Sequence, residues 1–101
     1  MNNGSKSLAD WRSEIDAIDA ELLRLLDQRA AIACEIATIK VAAGLPAYDP
    51  QREKQVLGKI TAMNQGPLDQ QSVTAIFSSI IQETRRLGTQ RMQEAQKVIS
   101  S

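Results

Sequence analysis

Residues 22–40, LLRLLDQRAAIACEIATIK, lie within a long apolar repeat that decides the fold of this chain. Between residues 8 and 39, positions that alternate spacings of three and four hold apolar side chains, with Arg29 as the one exception. This spacing is typical of a helix with one continuous apolar stripe. We call these positions the heptad stripe: Leu8, Trp11, Ile15, Ile18, Leu22, Leu25, Arg29, Ile32, Ile36 and Ile39. A permanent charge inside this stripe requires a physical reason.

The first helix is predicted to run from about residue 7 to residue 43. Ser7 suits the N-cap, and Asp10 three residues later resembles the second half of a capping box. Gly44 and Pro46 end the helix, because Gly fits the position after the last turn and a proline disfavours helix in the preceding residue.

Two further helices follow. The second begins at Asp49, which can cap it, and Pro50 suits its first position. It fades at residues 64–67, NQGP, and the third helix opens at Asp69 and extends to about Val98. No β-alternating run of useful length and no repeat is present. The predicted fold class is all-α, with three helices per chain.

The composition limits the domain organisation and the partners. The 101 residues suffice for one small domain, which we expect at residues 7–98 after a disordered N-terminal tail at residues 1–6. Lys plus Arg and Asp plus Glu are balanced at 12 each, so no nucleic-acid partner is expected. The apolar runs are too short to span a membrane, and the polar first residues predict no signal peptide.

Histidine is absent and Cys34 is the single cysteine. Since imidazole and thiolate are the usual ligands of zinc and transition metals, we expect no site for these metals. A magnesium site made of carboxylates alone is compatible with the composition, but no acidic cluster indicates one, so no metal site is predicted. A single cysteine forms no internal disulfide, which fits a reducing compartment and predicts a cytoplasmic protein.

The length of the first helix indicates a second chain. About 36 residues make a rod of ~54 Å, whereas a compact monomer of this size has a diameter of ~33 Å. The protruding rod would expose its stripe to water, so we predict an intertwined homodimer of long helices. The alternative is a kink or break near Gln28, although no Gly or Pro lies inside the helix.

Arg29 and Lys40 form a candidate anion site. An unpaired buried guanidinium costs on the order of 3–5 kcal/mol, so Arg29 needs a protein carboxylate or a bound anion. The alternative is an ion pair between subunits that sets their register. Lys40 lies eleven residues later, within ~20° of the same helix face and ~16 Å along the axis. Alternatively, Lys40 is a cation that favours a helix end.

Arg12 cannot reach that pocket from its own helix. It lies seventeen residues before Arg29, ~25 Å down the axis and about 100° around it. In an antiparallel dimer the partner's Arg12 could complete the site in trans. The alternative is a solvated arginine near a helix start.

The first turn of the second helix carries two residues of opposite charge, Arg52 and Glu53. Glu53 in the first turn of the second helix complements the dipole, whereas Arg52 beside it gains nothing and therefore needs a partner. We interpret Arg85 and Arg86 of the third helix as solvated.

Three segments together resemble the all-helical AroQ-class chorismate mutases. They are WRSEIDAIDAELLRLLDQRAAIACEIATIK, then PAYDPQREKQVL, then GPLDQQSVTAIFSSIIQETRRL, and the resemblance covers roughly residues 8–88. It implies a homodimer with two composite sites that rearranges chorismate to prephenate, a step of the shikimate pathway toward phenylalanine and tyrosine. Such a reaction needs no cofactor, and its substrate is a small dicarboxylate.

The resemblance also implies residue roles. Arg29 and the partner's Arg12 would hold the two substrate carboxylates, Lys40 would donate to the ether oxygen of the breaking bond, and Glu53 would accept from the ring hydroxyl. Arg29, Lys40 and Glu53 are thus the expected catalytic residues.

Three further positions belong to the expected binding site. Asp49 and Arg52 would line or brace the pocket, and Thr84 stands where the family has a small polar residue that touches substrate.

Gly88 departs from the family pattern, which places Gln or Glu there as a second donor to the ether oxygen. Water could fill the gap, Gln90 or Arg91 could enter after a helix irregularity, or catalysis could be weakened. Gly88 could also end the third helix, with Thr89 beginning a separate short one.

Other functions are compatible with the same pattern. Relatives on this scaffold act as isochorismate pyruvate-lyases or aminodeoxychorismate mutases. A non-catalytic helical dimer would need the heptad stripe but no substrate. A regulatory mutase would stay weak until a partner enzyme binds it.

Overall fold

The computed structural model describes residues 4–100, with side chains up to residue 97, and contains three helices. These are α1 (Leu8–Ala43), α2 (Pro50–Met63) and α3 (Gln70–Ser100). The predicted all-α class and the predicted order of the helices are confirmed. The third helix ends two residues later than Val98, where it was expected to end. Of the predicted tail at residues 1–6, residues 1–3 lie outside the described part of the chain.

Both ends of α1 are fixed by the capping residues from which the sequence analysis predicts them. The Ser7 hydroxyl accepts a hydrogen bond from the Asp10 backbone N–H at 3.1 Å, and the Asp10 carboxylate accepts one from the Ser7 N–H at 2.9 Å. Gly44 takes the left-handed conformation with φ of 67°, which a residue without Cβ adopts without strain. Helix α1 runs without interruption between these caps, so no break occurs near Gln28.

The other helices also begin at side-chain caps. Asp49 accepts a hydrogen bond from the Arg52 N–H at 3.1 Å, and Pro50 occupies the first position of α2. Asp69 accepts one from the Ser72 N–H at 2.7 Å at the start of α3. These short-range bonds explain why the helix starts can be predicted from sequence.

Helix α3 packs against both other helices, whereas α1 and α2 make no direct backbone contact within the described residues. The side of α1 that meets α3 carries small residues, and Ala37 on it is only 3% exposed. The most buried apolar side chains are Ala37, Val73, Ile81 and Met92. Because α3 separates α1 from α2, a gap opens between them.

The single chain is elongated and leaves its longest apolar surface uncovered. Its radius of gyration is 18.7 Å and its extents are 69 × 28 × 15 Å, against a radius of roughly 13 Å for a compact domain of about 100 residues. Residues 8–28 of α1 are all exposed. The apolar members of the heptad stripe are 47–64% exposed.

Candidate active site

A cavity of about 290 Å³ occupies the gap between α1 and α2, with α3 contributing a third wall. It gathers charged residues that lie far apart in the sequence. The lining residues are Arg29, Ile32, Ala33, Ile36, Ala37, Lys40, Ala47, Asp49, Arg52, Glu53, Val56, Ile81, Thr84, Arg85, Gly88, Thr89 and Met92. Every expected site residue except Arg12 is among them.

Arg29 reaches across from α1 to α3. Its Nη1 donates a hydrogen bond to the Thr84 hydroxyl at 2.7 Å, and that hydroxyl donates to the Ile80 carbonyl, also at 2.7 Å. Arg29 forms no ion pair with a carboxylate within the described side chains. The half-buried guanidinium therefore keeps most of its donors and its whole charge for another group.

Lys40 lies on the same cavity wall, as the helical spacing predicts. Its Nζ donates to the Ala47 carbonyl at 3.2 Å, which directs the half-buried ammonium toward the loop between α1 and α2. An ammonium carries three protons, so this contact leaves two for a ligand. No carboxylate within the described residues lies within ion-pair distance of Lys40.

The first turn of α2 supplies the opposite wall. The Asp49 cap holds this turn through the Arg52 backbone N–H, and Asp49, Arg52 and Glu53 all line the cavity. The Arg52 side chain is exposed and has no ion-pair partner among the side chains that the structure describes. The position of Arg52 at a helix start predicts an ion-pair partner, but the described side chains provide none.

The interpretation of Arg85 as solvated is wrong. Arg85 lines the cavity, its Nε lies 3.5 Å from Glu53 Oε2, and its guanidinium carbon lies 4.3 Å from the centre of the Tyr48 ring. Arg86 does face solvent, since its side chain is 68% exposed and pairs with Glu83 on the same helix. Because neighbouring positions of α3 point about 100° apart, Arg85 faces α2 whereas Arg86 faces water.

The cavity carries a surplus of positive charge. Four cationic side chains line it, Arg29, Lys40, Arg52 and Arg85, against the two carboxylates of Asp49 and Glu53. Asp49 also accepts the helix-capping bond, and Glu53 pairs with Arg85. The remaining positive charge suits a ligand with two negative groups.

Gly88 lies inside a continuous helix. Helix α3 runs through it without a cap, so Thr89 does not begin a separate helix. Gln90 and Arg91 are exposed and do not line the cavity, and no helix irregularity brings them in. Thr89 and Met92 line it instead. The sequence predicts α3 past the glycine, but its periodicity does not tell which of these residues reach the cavity.

Arg12 is exposed and does not line the cavity, and it lies in residues 8–28 of α1, all of which are exposed in the single chain. The geometry agrees with the expectation that it cannot serve the cavity of its own chain.

Within the described residues, no group of three or more His, Cys, Asp or Glu side chains is arranged to hold a metal ion. The helices between residues 4 and 100 include none with the length and apolar character needed to cross a membrane.

Comparison with known proteins gives consistent results. Residues 11–89 match the family described as chorismate mutase type II. The chain is 40% identical over 80 residues to the bifunctional chorismate mutase/prephenate dehydratase of Aquifex aeolicus, covering 75% of this chain and 22% of that protein. It is 33% identical over 92 residues to the chorismate mutase of Methanocaldococcus jannaschii, covering 90% of this chain and 93% of that one.

Solved structures share the fold. A chorismate mutase of Thermus thermophilus superposes with a TM-score of 0.81 at 33% identity, covering 83% of this chain and 96% of that one. A chorismate mutase of Helicobacter pylori in complex with prephenate gives a TM-score of 0.78 at 33% identity, covering 86% and 94%. The chain spans only about a fifth of the length of the bifunctional relatives, 22% and 20% in two of them.

Proposed function

This chain belongs to the type II chorismate mutase family, and from that premise we propose that it rearranges chorismate to prephenate in the biosynthesis of phenylalanine and tyrosine. The observation that carries the proposal is the cavity between α1 and α2, whose lining includes Arg29 and Lys40, neither of which pairs with a carboxylate inside the described chain. Chorismate is a dicarboxylate, and its two negative charges match the surplus positive charge of this cavity. The relative that was solved with prephenate supports the same ligand class.

The reaction requires no covalent step that involves a protein side chain. One C–O bond breaks and one C–C bond forms within a single molecule, so no nucleophile, metal or proton shuttle takes part. The protein must hold the side chain of the substrate over its ring, which removes conformational freedom before the bonds change. Arg29 suits this task because a guanidinium donates two parallel hydrogen bonds to a carboxylate.

Lys40 acts on the transition state in this proposal. The ether oxygen becomes partly negative as its bond to carbon lengthens, and a fixed ammonium nearby stabilises that charge more strongly than it stabilises the substrate. The bond from Lys40 to Ala47 orients Nζ before substrate arrives. Glu53 accepts a hydrogen bond from the ring hydroxyl, and Asp49 and Arg52 brace the wall from which Glu53 projects.

We further propose a homodimer in which the partner's Arg12 completes each site. The exposed heptad stripe supports it, since nine large apolar side chains in one row would otherwise remain in water. An antiparallel partner helix covers residues 8–28 of α1 and also places a cation at the open side of the cavity. The cavity would then hold an additional arginine for the second carboxylate of the substrate.

The position of the two-fold axis follows from this arrangement. If Arg12 of the partner subunit lies level with Arg29, the axis crosses α1 roughly midway between them, near Ala20 and Glu21. Leu22 of the two chains would then be offset by only ~4.5 Å along helices packed ~8–10 Å apart.

Cross-linking tests the dimer. In a Cys34→Ser background, Leu22→Cys should give a covalent dimer with a short bismaleimide. Arg24→Cys should stay monomeric on a denaturing gel, since position 24 points about 200° away from position 22. Equal cross-linking of both variants, together with a monomer mass in sedimentation, would contradict the proposal.

A turnover assay tests the reaction itself. Chorismate and isochorismate are supplied side by side, and we expect loss of chorismate with formation of prephenate and no release of pyruvate from isochorismate. Arg29→Ala should abolish chorismate turnover while the dimer persists. Unchanged turnover in Arg29→Ala with a merely weakened dimer would favour the register role of this arginine.

Two remaining aspects of the proposal concern regulation and compartment. A low rate of the isolated chain that rises on addition of a partner enzyme would support the regulated form of the mutase, in which Gly88 weakens basal catalysis. We place the enzyme in the cytoplasm, in line with its single cysteine.

A further inference from the structure

Arg85 connects three separate parts of the chain at the edge of the cavity. It projects from α3, pairs with Glu53 of α2 at 3.5 Å, and lies with its guanidinium carbon 4.3 Å from the centre of the Tyr48 ring in the loop between α1 and α2. The side chains of Arg85 and Glu53 are only 32% and 23% exposed. The contacts therefore lie partly out of water, where charge interactions are less screened.

We propose that Arg85 is a positioning residue, which holds Glu53 and the loop at Tyr48 in the geometry that the reaction requires. This inference rests on the proposed function for its kinetic consequence, although the contacts themselves do not depend on it. Arg85 acts through Glu53 rather than on the reacting atoms.

The geometry of the ion pair explains how Arg85 positions Glu53. It engages Oε2, and no hydrogen bond or ion pair within the described side chains engages Oε1. One carboxylate oxygen is thus fixed and the other stays available to accept the ring hydroxyl of the substrate. The Nε–Oε2 distance of 3.5 Å makes this contact an ion pair and not a hydrogen bond, so Arg85 holds Oε2 by charge.

The contact with Tyr48 extends the effect to the loop. A cation over an aromatic face is attracted to the ring and excludes water from it. Tyr48 directly follows Ala47, whose carbonyl accepts the hydrogen bond from Lys40, and directly precedes Asp49, which caps α2. The Arg85–Tyr48 contact therefore restrains the segment that orients both Lys40 and the first turn of α2.

Arg86 is a matched control for Arg85. It has the same side chain at the next position of α3, but it pairs with Glu83 on the same helix, is 68% exposed, and does not line the cavity. A general effect of removing positive charge from α3 would appear equally in both variants.

A kinetic cycle tests whether Arg85 acts through Glu53. We expect Arg85→Met to lower kcat/KM for chorismate by roughly tenfold to a hundredfold, as misplacement of a positioned group does, with kcat falling more than KM rises. Arg86→Met should match wild type, and Arg85→Lys should recover part of the loss. Adding Arg85→Met to Glu53→Gln should cost less than Arg85→Met costs in wild type, because effects on one functional unit are not additive.

Hydrogen exchange tests the contacts without any reference to activity. The backbone amides of Arg52 and Glu53 are hydrogen-bonded to the Asp49 carboxylate and carbonyl, and they should exchange severalfold faster in Arg85→Met and in Tyr48→Leu than in wild type and Arg86→Met. Thermal melts of the same variants establish that all are folded. If wild type failed to turn over chorismate, the proposed function would fail while this measurement would still decide whether the loop is restrained.

The proposal is overturned by either of two results. Unchanged exchange of the Arg52 and Glu53 amides in Arg85→Met would show that Arg85 does not restrain the loop and the first turn of α2. Fully additive losses in the Glu53→Gln and Arg85→Met double variant of an active enzyme would show that Arg85 does not act through Glu53.

Discussion

Arg29 and Thr84, which are 55 residues apart in sequence, are joined by a hydrogen bond of 2.7 Å from the guanidinium to the hydroxyl. The single proton of that hydroxyl is donated to the Ile80 carbonyl of its own helix. Thr84 thus offers only acceptor lone pairs to the cavity, which suits a cation and not an anionic substrate. The bond fixes one edge of Arg29 and leaves its other donors for a carboxylate.

The first prediction concerns this bond. Thr84→Val keeps the shape of the side chain but removes the acceptor, so Arg29 should lose its preferred orientation. Hydrogen bonds to charged groups contribute about 1.5–3 kcal/mol, which corresponds to roughly tenfold to a hundredfold in kcat/KM for chorismate. Steady-state kinetics measure the change. Thr84→Ser retains the hydroxyl and should stay near wild type, and an equal loss in both variants would contradict the role.

A second prediction separates rate from binding at Lys40. Lys40→Met should lower kcat by about two to three orders of magnitude, since loss of one preorganised donor to a developing oxyanion costs ~3–4 kcal/mol. KM should change much less, because the ammonium stabilises the transition state more than the substrate.

Lys59→Met is the control for Lys40→Met, because Lys59 is exposed on α2 and lies outside the cavity. A rise in KM with unchanged kcat in Lys40→Met would instead assign Lys40 to ordinary substrate binding.

Local interactions account for what the sequence could predict. The capping box of Ser7 and Asp10 and the left-handed Gly44 involve residues close in sequence, so the bounds of α1 follow from short-range rules. The shared cavity wall of Arg29 and Lys40 follows from helix periodicity alone, because both lie on one rigid element. The exposed heptad stripe follows from the same periodicity.

Tertiary packing accounts for what the sequence could not predict. Arg85 and Arg86 look alike in sequence, and only the packing of α3 against α2 and the loop decides that Arg85 meets Glu53 and Tyr48. The sequence predicts that α3 continues to about Val98, but which of its residues beyond Gly88 line the cavity depends on how α3 packs, and Thr89 and Met92 do so.

A third prediction follows from the pKa of Asp10. Hydrogen bonds from the Ser7 backbone N–H and then from the Ser7 hydroxyl hold this pKa below its ordinary value of 3.8. A carboxyl with a lowered pKa in the folded state stabilises that state above the ordinary value, and the contribution is lost as pH falls through the lowered one. Asp10→Asn should therefore be less stable than wild type near pH 6, and the difference should shrink as pH falls below 3.8.

Thermal unfolding followed by circular dichroism between about pH 6 and pH 2 measures this difference across the titration range of the carboxyl. Asp16→Asn is the control, because Asp16 is exposed on the same helix and accepts no hydrogen bond within the described residues. A gap between Asp10→Asn and wild type that stays constant with pH would contradict the assignment.

The fourth prediction concerns Gly88. A Cβ built at this position meets only the Cβ of Ala37, at 3.9 Å, which is an ordinary van der Waals distance. A side chain therefore fits, and replacing a glycine inside a helix should stabilise the protein by up to about 1 kcal/mol. Gly88→Gln also places an amide donor on the cavity wall, so we expect a higher kcat for chorismate in addition to a higher Tm. Gly88→Ala separates the two effects, since it should raise Tm without raising kcat. Equal kcat in Gly88→Gln, Gly88→Ala and wild type would mean that the amide does not reach the ether oxygen.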